Sequence, residues 1–385
     1  MEIKDTLNLP VTDFPMKASL TQREPEMLAY WEKDELYKKI RKSAKGKPKY
    51  VFHDGPPYAN GHIHMGHALN KLLKDFIVKI MSMKGFDAGF IPGWDCHGLP
   101  IEHQVGKKLK EKKLSLEKSE IRKQCRIYAQ EFVDIQKEEF KRLGVLADWE
   151  NPYLTMNYSY EATIVREFGK FVEKGLVYKG MKPVHWCTSC QTALAEAEVE
   201  HADHTSPSIY VKFPVQSGTP KTMTGLNQLS MVIWTTTPWT LPANLAISLH
   251  PDFVYVAVSH GDETFIVAED RLYSLVAEWK LKDFKIVASC KGAEWKDAIC
   301  IHPFIDRDSK VILGDHVTLE QGTGCVHTAP GHGHDDYIVG LKYGLDPYNP
   351  VNSAGVFVSE VEYFGGMFVR KANPEIIEKL KQDGF

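Results

Sequence analysis

Three histidines fall within six residues at the end of the stretch Asp54-Gly55-Pro56-Pro57-Tyr58-Ala59-Asn60-Gly61-His62-Ile63-His64-Met65-Gly66-His67. The segment before it, Lys49 to His53, predicts a short buried strand broken at Gly55-Pro56-Pro57, and a helix is predicted from near Gly66. In a strand–loop–helix of this kind, imidazole N–H groups and a helix N-terminus can together face phosphate oxygens. Gly66 lets backbone and nucleotide approach closely. A metal is the rival chemistry, since His62, His64 and His67 are all possible ligands, but only Asp54 stands at a supporting spacing. Satisfaction within a loop explains one histidine well and three beside a Pro-Pro turn poorly.

Two further groups could do chemistry. Trp234 to Asn244 carries Thr235, Thr236 and Thr237, which alone reads as a β edge. His327 precedes His332-Gly333-His334-Asp335-Asp336, a density of His and Asp that alone suggests a metal. Trp186-Cys187-Thr188-Ser189-Cys190 is a Cys-x-x-Cys, half of a tetrahedral zinc site, and the other five cysteines show no paired spacing. Lys79-Ile80-Met81-Ser82-Met83-Lys84 reads as a helix end.

The elements that must position these residues follow from periodicity. Leu69, Leu72, Leu73, Phe76, Ile77 and Ile80 are spaced as one face of a helix, and a second strand is expected at Phe90-Ile91 before Pro92. Strand, loop, helix and strand in that order imply a parallel α/β sheet, which would place Asp95 at a strand end. Helical spacing continues through Ile121, Cys125, Tyr128, Phe132 and Ile135, and another helix is expected over Glu161–Glu173. The run Lys107, Lys108, Lys110, Lys112 and Lys113, interrupted by Glu111, reads as a solvated helix face. Near residue 205 the texture changes to short β-branched and aromatic runs: Ser208–Phe213, Met231–Trp234, Phe253–Val258, Thr264–Val267 and Val311–Leu313. They indicate a strand-rich domain with a boundary at 195–207, closed by an amphipathic helix over Pro374–Phe385.

With 385 residues, 43% hydrophobic and 25% charged, the chain has the composition of two or three globular cores. No secretory leader or membrane-length apolar run is seen, and seven sparse cysteines point to a reducing, cytoplasmic setting. A formal net charge of −3 removes global basicity as a reason to expect nucleic acid, so such a partner has to be argued from local sites.

His64-Met65-Gly66-His67 resembles the His-x-Gly-His signature of class I aminoacyl-tRNA synthetases. Pro56-Pro57-Tyr58-Ala59-Asn60-Gly61 before it and Pro92-Gly93-Trp94-Asp95-Cys96-His97-Gly98-Leu99-Pro100-Ile101-Glu102 after it resemble the isoleucyl branch. Valyl relatives carry Asn-Val-Thr-Gly and Asp-His-Ala-Gly there, leucyl relatives Ser-Gly and Asp-Ala-Phe-Gly-Leu-Pro, and this chain has neither set. The resemblance covers nearly the whole chain. It implies an α/β fold: the first half of a Rossmann-like parallel-sheet nucleotide-binding domain with an inserted strand-rich, β-barrel-like α+β editing domain. The implied order is a helical arm over 1–45, the catalytic half-domain over 46–200 and an editing insertion over 201–385, truncated at its C-terminal end.

The resemblance also implies a reaction: ATP-dependent activation of isoleucine, transfer to isoleucine-specific tRNA, and hydrolytic editing of mischarged valyl-tRNA by a monomer. Magnesium would accompany ATP. His64 and His67 would stabilise the ATP phosphates, Gly55, Tyr58 and Gly66 would complete the ATP contacts, Pro56 would wall the side chain and Asp95 would hold the ammonium. In the editing pocket Thr235, Thr236, Thr237 and Asn244 would line the scissile ester. His327 would limit side-chain size and Asp336 would hold the ammonium, with Thr237 and Asp336 carrying the hydrolysis. Cys187 and Cys190 would hold zinc only with a second ligand pair beyond Phe385. Editing has a physical reason: valine lacks one methylene of isoleucine, worth only ~0.8 kcal/mol on burial, and isoleucyl enzymes are the usual example of that weak discrimination. The fragment alone would lack complete synthetic activity, because the family's Lys-Met-Ser-Lys-Ser signature is not in it. A valyl or leucyl enzyme, a stand-alone deacylase of residues 205–385 and a non-catalytic binding module are the rivals. His64, His67 and Asp95 argue against the last two.

Overall fold

The computed structural model describes residues 2–8, 13 and 17–385. The chain divides into two compact units, Met1–Tyr178 and Lys179–Phe385. That division precedes the change of texture expected at 195–207, so the Cys-x-x-Cys segment belongs with the second unit. Of the expected helical arm, α1 (Leu20–Lys33) and α2 (Leu36–Ala44) are helices, while residues 1, 9–12 and 14–16 lie outside the described residues.

The first unit is built on three extended segments running parallel. Asp87 N donates to Pro48 O at 2.8 Å and Tyr50 N to Asp87 O at 3.1 Å. Further along, Asp95 N donates to Pro57 O and Ala59 N to Asp95 O, both at 2.8 Å. On the other side of the middle segment, β1 (Gly93–Trp94) pairs in parallel with β2 (Tyr153–Leu154). The strand expected at Lys49–His53 is thus an extended segment bridged only at Lys49 and, beyond the turn, at Tyr58. Pro56 and Pro57 carry no N–H for a ladder, which accounts for the interruption. The strand expected at Phe90–Ile91 is regular only at Gly93–Trp94, although Phe90 is buried. Gly93 is required there, because the Tyr153 ring occupies the place of its missing Cβ.

Helices α3 (Met65–Met83), α4 (Leu99–Glu111), α5 (Lys118–Arg142) and α6 (Tyr158–Glu173) complete the unit. Trp94, Ile101, Val133 and Phe140 form one core, and Val78, Ala88, Phe90 and Val145 a second. Helix α3 inverts the usual arrangement. Its buried residues are Lys71, Asp75 and Val78, while Leu69, Leu73, Phe76, Ile77 and Ile80 of the expected apolar face are exposed. The inner side is accommodated by ion pairs: Lys71 and Lys74 on Asp54, and Lys79 on Asp75, whose Oδ1 also accepts from Leu146 N at 3.0 Å. Helix α6 buries no residue and exposes Ile164, Val165, Phe168, Phe171 and Val172.

The second unit begins with the hairpin β3 (Trp186–Cys187) and β4 (Thr192–Ala193). Strands β5 (Ile209–Ser217), β6 (Leu229–Thr235), β7 (Ala246–Leu249), β8 (Val254–His260), β9 (Glu263–Ala268), β10 (Lys285–Lys291), β11 (Ile299–Ile301), β12 (Asp308–Leu313) and β13 (Cys325–Thr328) follow. They form one nine-stranded mixed sheet in the order β10-β8-β9-β6-β5-β11-β12-β7-β13. The sheet curls, for Cys325 Sγ on its last strand lies 3.7 Å from Ile266 O on β9. Val211, Phe213, Met231, Ile233, Tyr255 and Trp295 fill its interior. Helices α7 (Leu272–Trp279), α8 (His334–Tyr343) and α9 (Val369–Asp383) accompany it, and α9 begins five residues before the expected Pro374.

The inverted packing of α3 predicts unequal costs for two phenylalanines. Phe140→Ala, at a fully buried ring, should lower the unfolding free energy by ~3–5 kcal/mol. Phe76→Ala, at a ring 55% exposed, should change it by less than about 1 kcal/mol. Urea unfolding of the chain measures both, and a comparable loss at Phe76 would contradict the exposed face.

Candidate functional site

His64 is the N-cap of α3, and its Nδ1 accepts a hydrogen bond from Gly66 N at 3.1 Å. His67 Nδ1 in turn accepts from His64 N at 3.3 Å, so the two side chains cap the helix reciprocally. The rings stack with centroids 3.9 Å apart. Gly66 has no Cβ because one would lie 2.9 Å from His64 Cε1, under the folded-over ring. Acceptance at Nδ1 assigns the proton of each neutral ring to Nε2. Both rings therefore present an outward N–H donor beside the unpaired amides of a helix N-terminus. Burial, the neighbouring His64 and the Lys71 ammonium hold the His67 imidazole below its usual range, which keeps it a neutral donor.

Behind this pair lies Asp54, its carboxylate wholly buried and bound by Lys71 and Lys74. Burial pulls the Lys71 ammonium below its usual range, while Asp54 opposes the change. Lys71 Nζ sits 5.3 Å from the Phe90 ring centroid and 5.4 Å from that of Phe140. Gly55 and Tyr58 are exposed and Pro56 is half-buried on the loop that leaves Asp54. Asp95 stands on the middle extended segment, joined to that loop at Pro57 and Ala59. Its Oδ1 accepts from His97 N at 3.2 Å and lies 3.5 Å from Thr155 Oγ1. The fold thus gathers Gly55, Pro56, Tyr58, His64, Gly66, His67 and Asp95 on one loop, one helix start and the extended segment beside them.

In the second unit, β6 ends at Thr235, whose Oγ1 accepts from Thr237 N at 3.0 Å. Thr235 is buried, Thr236 half-buried and Thr237 exposed. A hydrogen-bond chain runs behind them. Ser309 Oγ donates to Asn244 Oδ1 at 2.7 Å, and Asn244 Nδ2 donates to Ala246 O at 2.9 Å and to His327 Nδ1 at 2.8 Å. His327 Nε2–H then donates to Thr240 Oγ1 at 2.9 Å, and Thr240 donates to Thr237 O at 2.8 Å. Both ring nitrogens of His327 are committed, so it has no free lone pair to take a proton from water. Burial pushes its imidazole down to about 3. Thr240 and Ser309 carried no sequence signal, because isolated hydroxyl residues acquire a role only through the partners folding brings to them.

Asp335 and Asp336 both lie in the first turn of α8. Asp335 is exposed, whereas Asp336 Oδ2 reaches back to accept from Ala329 N at 2.9 Å, two residues beyond His327. Burial raises the Asp336 carboxyl above its usual range. His332 packs edge-on against Trp239 at 4.9 Å, and its Nε2 is buried without a hydrogen-bond partner. Cys187 and Cys190 lie on the β3–β4 hairpin, where the Cys190 N–H, 3.3 Å from Cys187 Sγ, holds that thiol below its usual range. Among the described residues no group of three or more His, Cys, Asp or Glu side chains is placed to hold a metal. Cys187 and Cys190 alone supply two of the four ligands of a tetrahedral zinc site. His62, His64 and His67 are not a metal cluster: His62 turns its Nδ1 to Glu139 at 2.5 Å.

The chain belongs to the family of class I tRNA synthetases (I, L, M and V), whose family model matches residues 26–334. The isoleucine--tRNA ligase of Geobacter sulfurreducens is 58% identical over 100% of this chain and 42% of its own length. That of Syntrophotalea carbinolica is 55% identical over the same shares. The chain thus spans about two fifths of the length of the curated relatives it matches. Among solved structures, the ternary complex of Agrobacterium radiobacter K84 agnB2 LeuRS with tRNA and LeuAMS covers 95% of this chain and 47% of its own. It is 17% identical to this chain, with a TM-score of 0.41. No helix among the described residues is long and apolar enough to cross a membrane.

Three imidazoles, His302 buried and His327 and His332 half-buried, set a pH dependence. Burial pushes His302 and His332 down to about 4 and His327 to about 3, from an ordinary 6.5. Below pH 6.5 the unfolded chain takes up protons that the folded unit refuses, so stability falls as pH drops and levels off only near pH 3–4. Asp336 acts in the opposite sense, since its raised carboxyl favours the folded state at low pH. His302→Gln should flatten the dependence between pH 6.5 and 4 by up to ~1.4 kcal/mol per pH unit, measured by urea unfolding across pH. An unchanged slope would contradict the neutral buried ring.

Proposed function

We propose that this chain is the N-terminal part of a cytoplasmic isoleucine--tRNA ligase, combining half of the synthetic site with a hydrolytic editing pocket. The observation that carries the reading is the stacked His64/His67 pair at the start of α3, on the far end of a loop whose near end is hydrogen-bonded to Asp95. Its sequence support is the identity with isoleucine--tRNA ligases along the whole chain. In this reading the three parallel segments and α3 are the first half of a Rossmann-like nucleotide-binding domain. The exposed apolar faces of α3 and α6 are surfaces that the rest of a protein of the relatives' length would cover.

The amino acid carboxylate attacks the α-phosphate of ATP, an aminoacyl adenylate forms and pyrophosphate leaves. The two imidazole donors and the helix N-terminus stabilise the charge that builds on the phosphates without gaining or losing a proton. Asp95 holds the isoleucine ammonium and Pro56 contributes to the wall against its side chain, while Gly55, Tyr58 and Gly66 complete the ATP contacts. Magnesium enters with ATP as part of the substrate. The adenylate then acylates the terminal ribose of isoleucine-specific tRNA.

The second unit is the editing domain. Asp336 pairs with the ammonium of a misattached valine, and Thr235, Thr236, Thr237 and Asn244 line the pocket. His327, held rigid by Asn244 and Thr240, limits the side chain admitted. Its lack of a free lone pair supports a steric role over that of a base.

Two assays test this reading. In the protein at its relatives' full length, His64→Ala should lower isoleucine-dependent ATP–pyrophosphate exchange by ~10²–10³-fold, with isoleucine affinity nearly unchanged. Damage confined to isoleucine affinity would refute the phosphate role. Asp336→Ala should remove hydrolysis of valyl-tRNA, since a buried ammonium left unpaired costs ~3–5 kcal/mol, and should leave the melting temperature within a few degrees. Retained deacylation, or an equal loss in Asp335→Ala tied to instability, would instead favour two aspartates that serve only the helix N-terminus.

A further inference from the structure

Residues 58–63 connect the bridge at Asp95 to His64, the N-cap of α3, and they make no regular secondary structure of their own. Their polar groups turn instead to one face of α5. Gln136, a fully buried amide, donates through Nε2 to Tyr58 O at 3.0 Å and to Gly61 O at 2.8 Å. Its Oε1 accepts from the indole N–H of Trp94, the residue before Asp95, at 3.0 Å. One turn further on, Glu139 Oε2 accepts from Ile63 N at 2.9 Å and Oε1 accepts from His62 Nδ1–H at 2.5 Å. Two turns before Gln136, Tyr128 donates to Asn60 Oδ1 at 2.8 Å. At 3.6 residues per turn, positions 128, 136 and 139 fall within about 80° of one another around the helix.

We propose that Gln136 and Glu139 are positioning residues of the synthetic site, fixing the His64/His67 pair at its working distance from Asp95; the inference rests on the activation chemistry proposed above. Gln136 is a side chain that bonds both halves of the arrangement, the loop carrying the histidines and the segment carrying Asp95. Both its N–H groups and its carbonyl oxygen are used, so its orientation is determined. Its burial would be unfavourable without those partners. Glu139 holds the two residues immediately before His64. A loop with no ladder of its own depends on these bonds for its place, and a displacement of about 1 Å at a reacting centre can lower a rate ~10²-fold.

Glu139→Ala and Glu139→Gln separate positioning from mere packing. The glutamine can still accept from Ile63 N, and the alanine cannot. In the full-length protein, Glu139→Ala should lower kcat for ATP–pyrophosphate exchange by ~10–100-fold, with KM for ATP and isoleucine within about threefold. Glu139→Gln should recover kcat to within about fivefold of the parent. Gln136→Leu should behave as Glu139→Ala does. Independently of activity, amide exchange at Ile63 should quicken at least about tenfold in Glu139→Ala and not in Glu139→Gln, while amides within α5 keep their protection. Unchanged Ile63 exchange, or kcat losses that merely follow the melting temperature and are not rescued by glutamine, would overturn the inference. A parent protein without exchange activity would overturn the synthetic reading and the catalytic part of this inference with it, while the Ile63 measurement still decides the clamp.

Discussion

The first unit depends on one buried carboxylate. Asp54 lies out of water between Lys71 and Lys74, and this ion cluster joins the loop that leaves the parallel ladder to the helix that follows it. Removing one member of such a cluster strands a charge, at a typical cost of ~3–5 kcal/mol. The inner side of α3 is given to Lys71, Asp75 and Val78, while Leu69, Leu73 and Phe76 face outward. The helix itself begins at the His64 cap. That start places His64 and His67, and reciprocal capping then decides which nitrogen of each ring points away from the helix.

Imidazole serves the two units in different ways. In the first, His64 and His67 accept at Nδ1 and keep an Nε2–H, which suits an electrostatic donor to an anion. In the second, Asn244 and Thr240 occupy both nitrogens of His327, and Ser309 secures Asn244 in turn. A fully satisfied buried network of this kind is rigid, and rigidity is what a pocket needs if it is to sort side chains differing by one methylene.

Much of this was legible in the sequence, and the failures have physical causes. The five strands read near residue 205 and beyond correspond to β5, β6, β8, β9 and β12, where β-branched and aromatic residues cluster. The strand β7, Ala246-Ile247-Ser248-Leu249, escaped because it is buried on both faces and so shows no alternation, and β10 because it is a largely exposed edge. The apolar face of α3 was recognised but not its orientation, since periodicity reports a stripe and not what lies opposite it. His64, His67, Asp95 and Asp336 were legible as motif residues. Lys71, Gln136, Glu139 and Thr240 were not, because their importance lies in partners 17 to 87 residues away in sequence.

The phosphate role needs both rings at the start of α3 to donate through Nε2, as acceptance at Nδ1 implies. Histidine-selective ¹⁵N NMR of the chain at pH 7.5, with and without ATP, measures this directly. Both rings should show protonated Nε2 and hydrogen-bonded, unprotonated Nδ1, and ATP should shift both Nε2 resonances. A proton on Nδ1 of either ring, or Nε2 resonances indifferent to saturating ATP, would contradict the account.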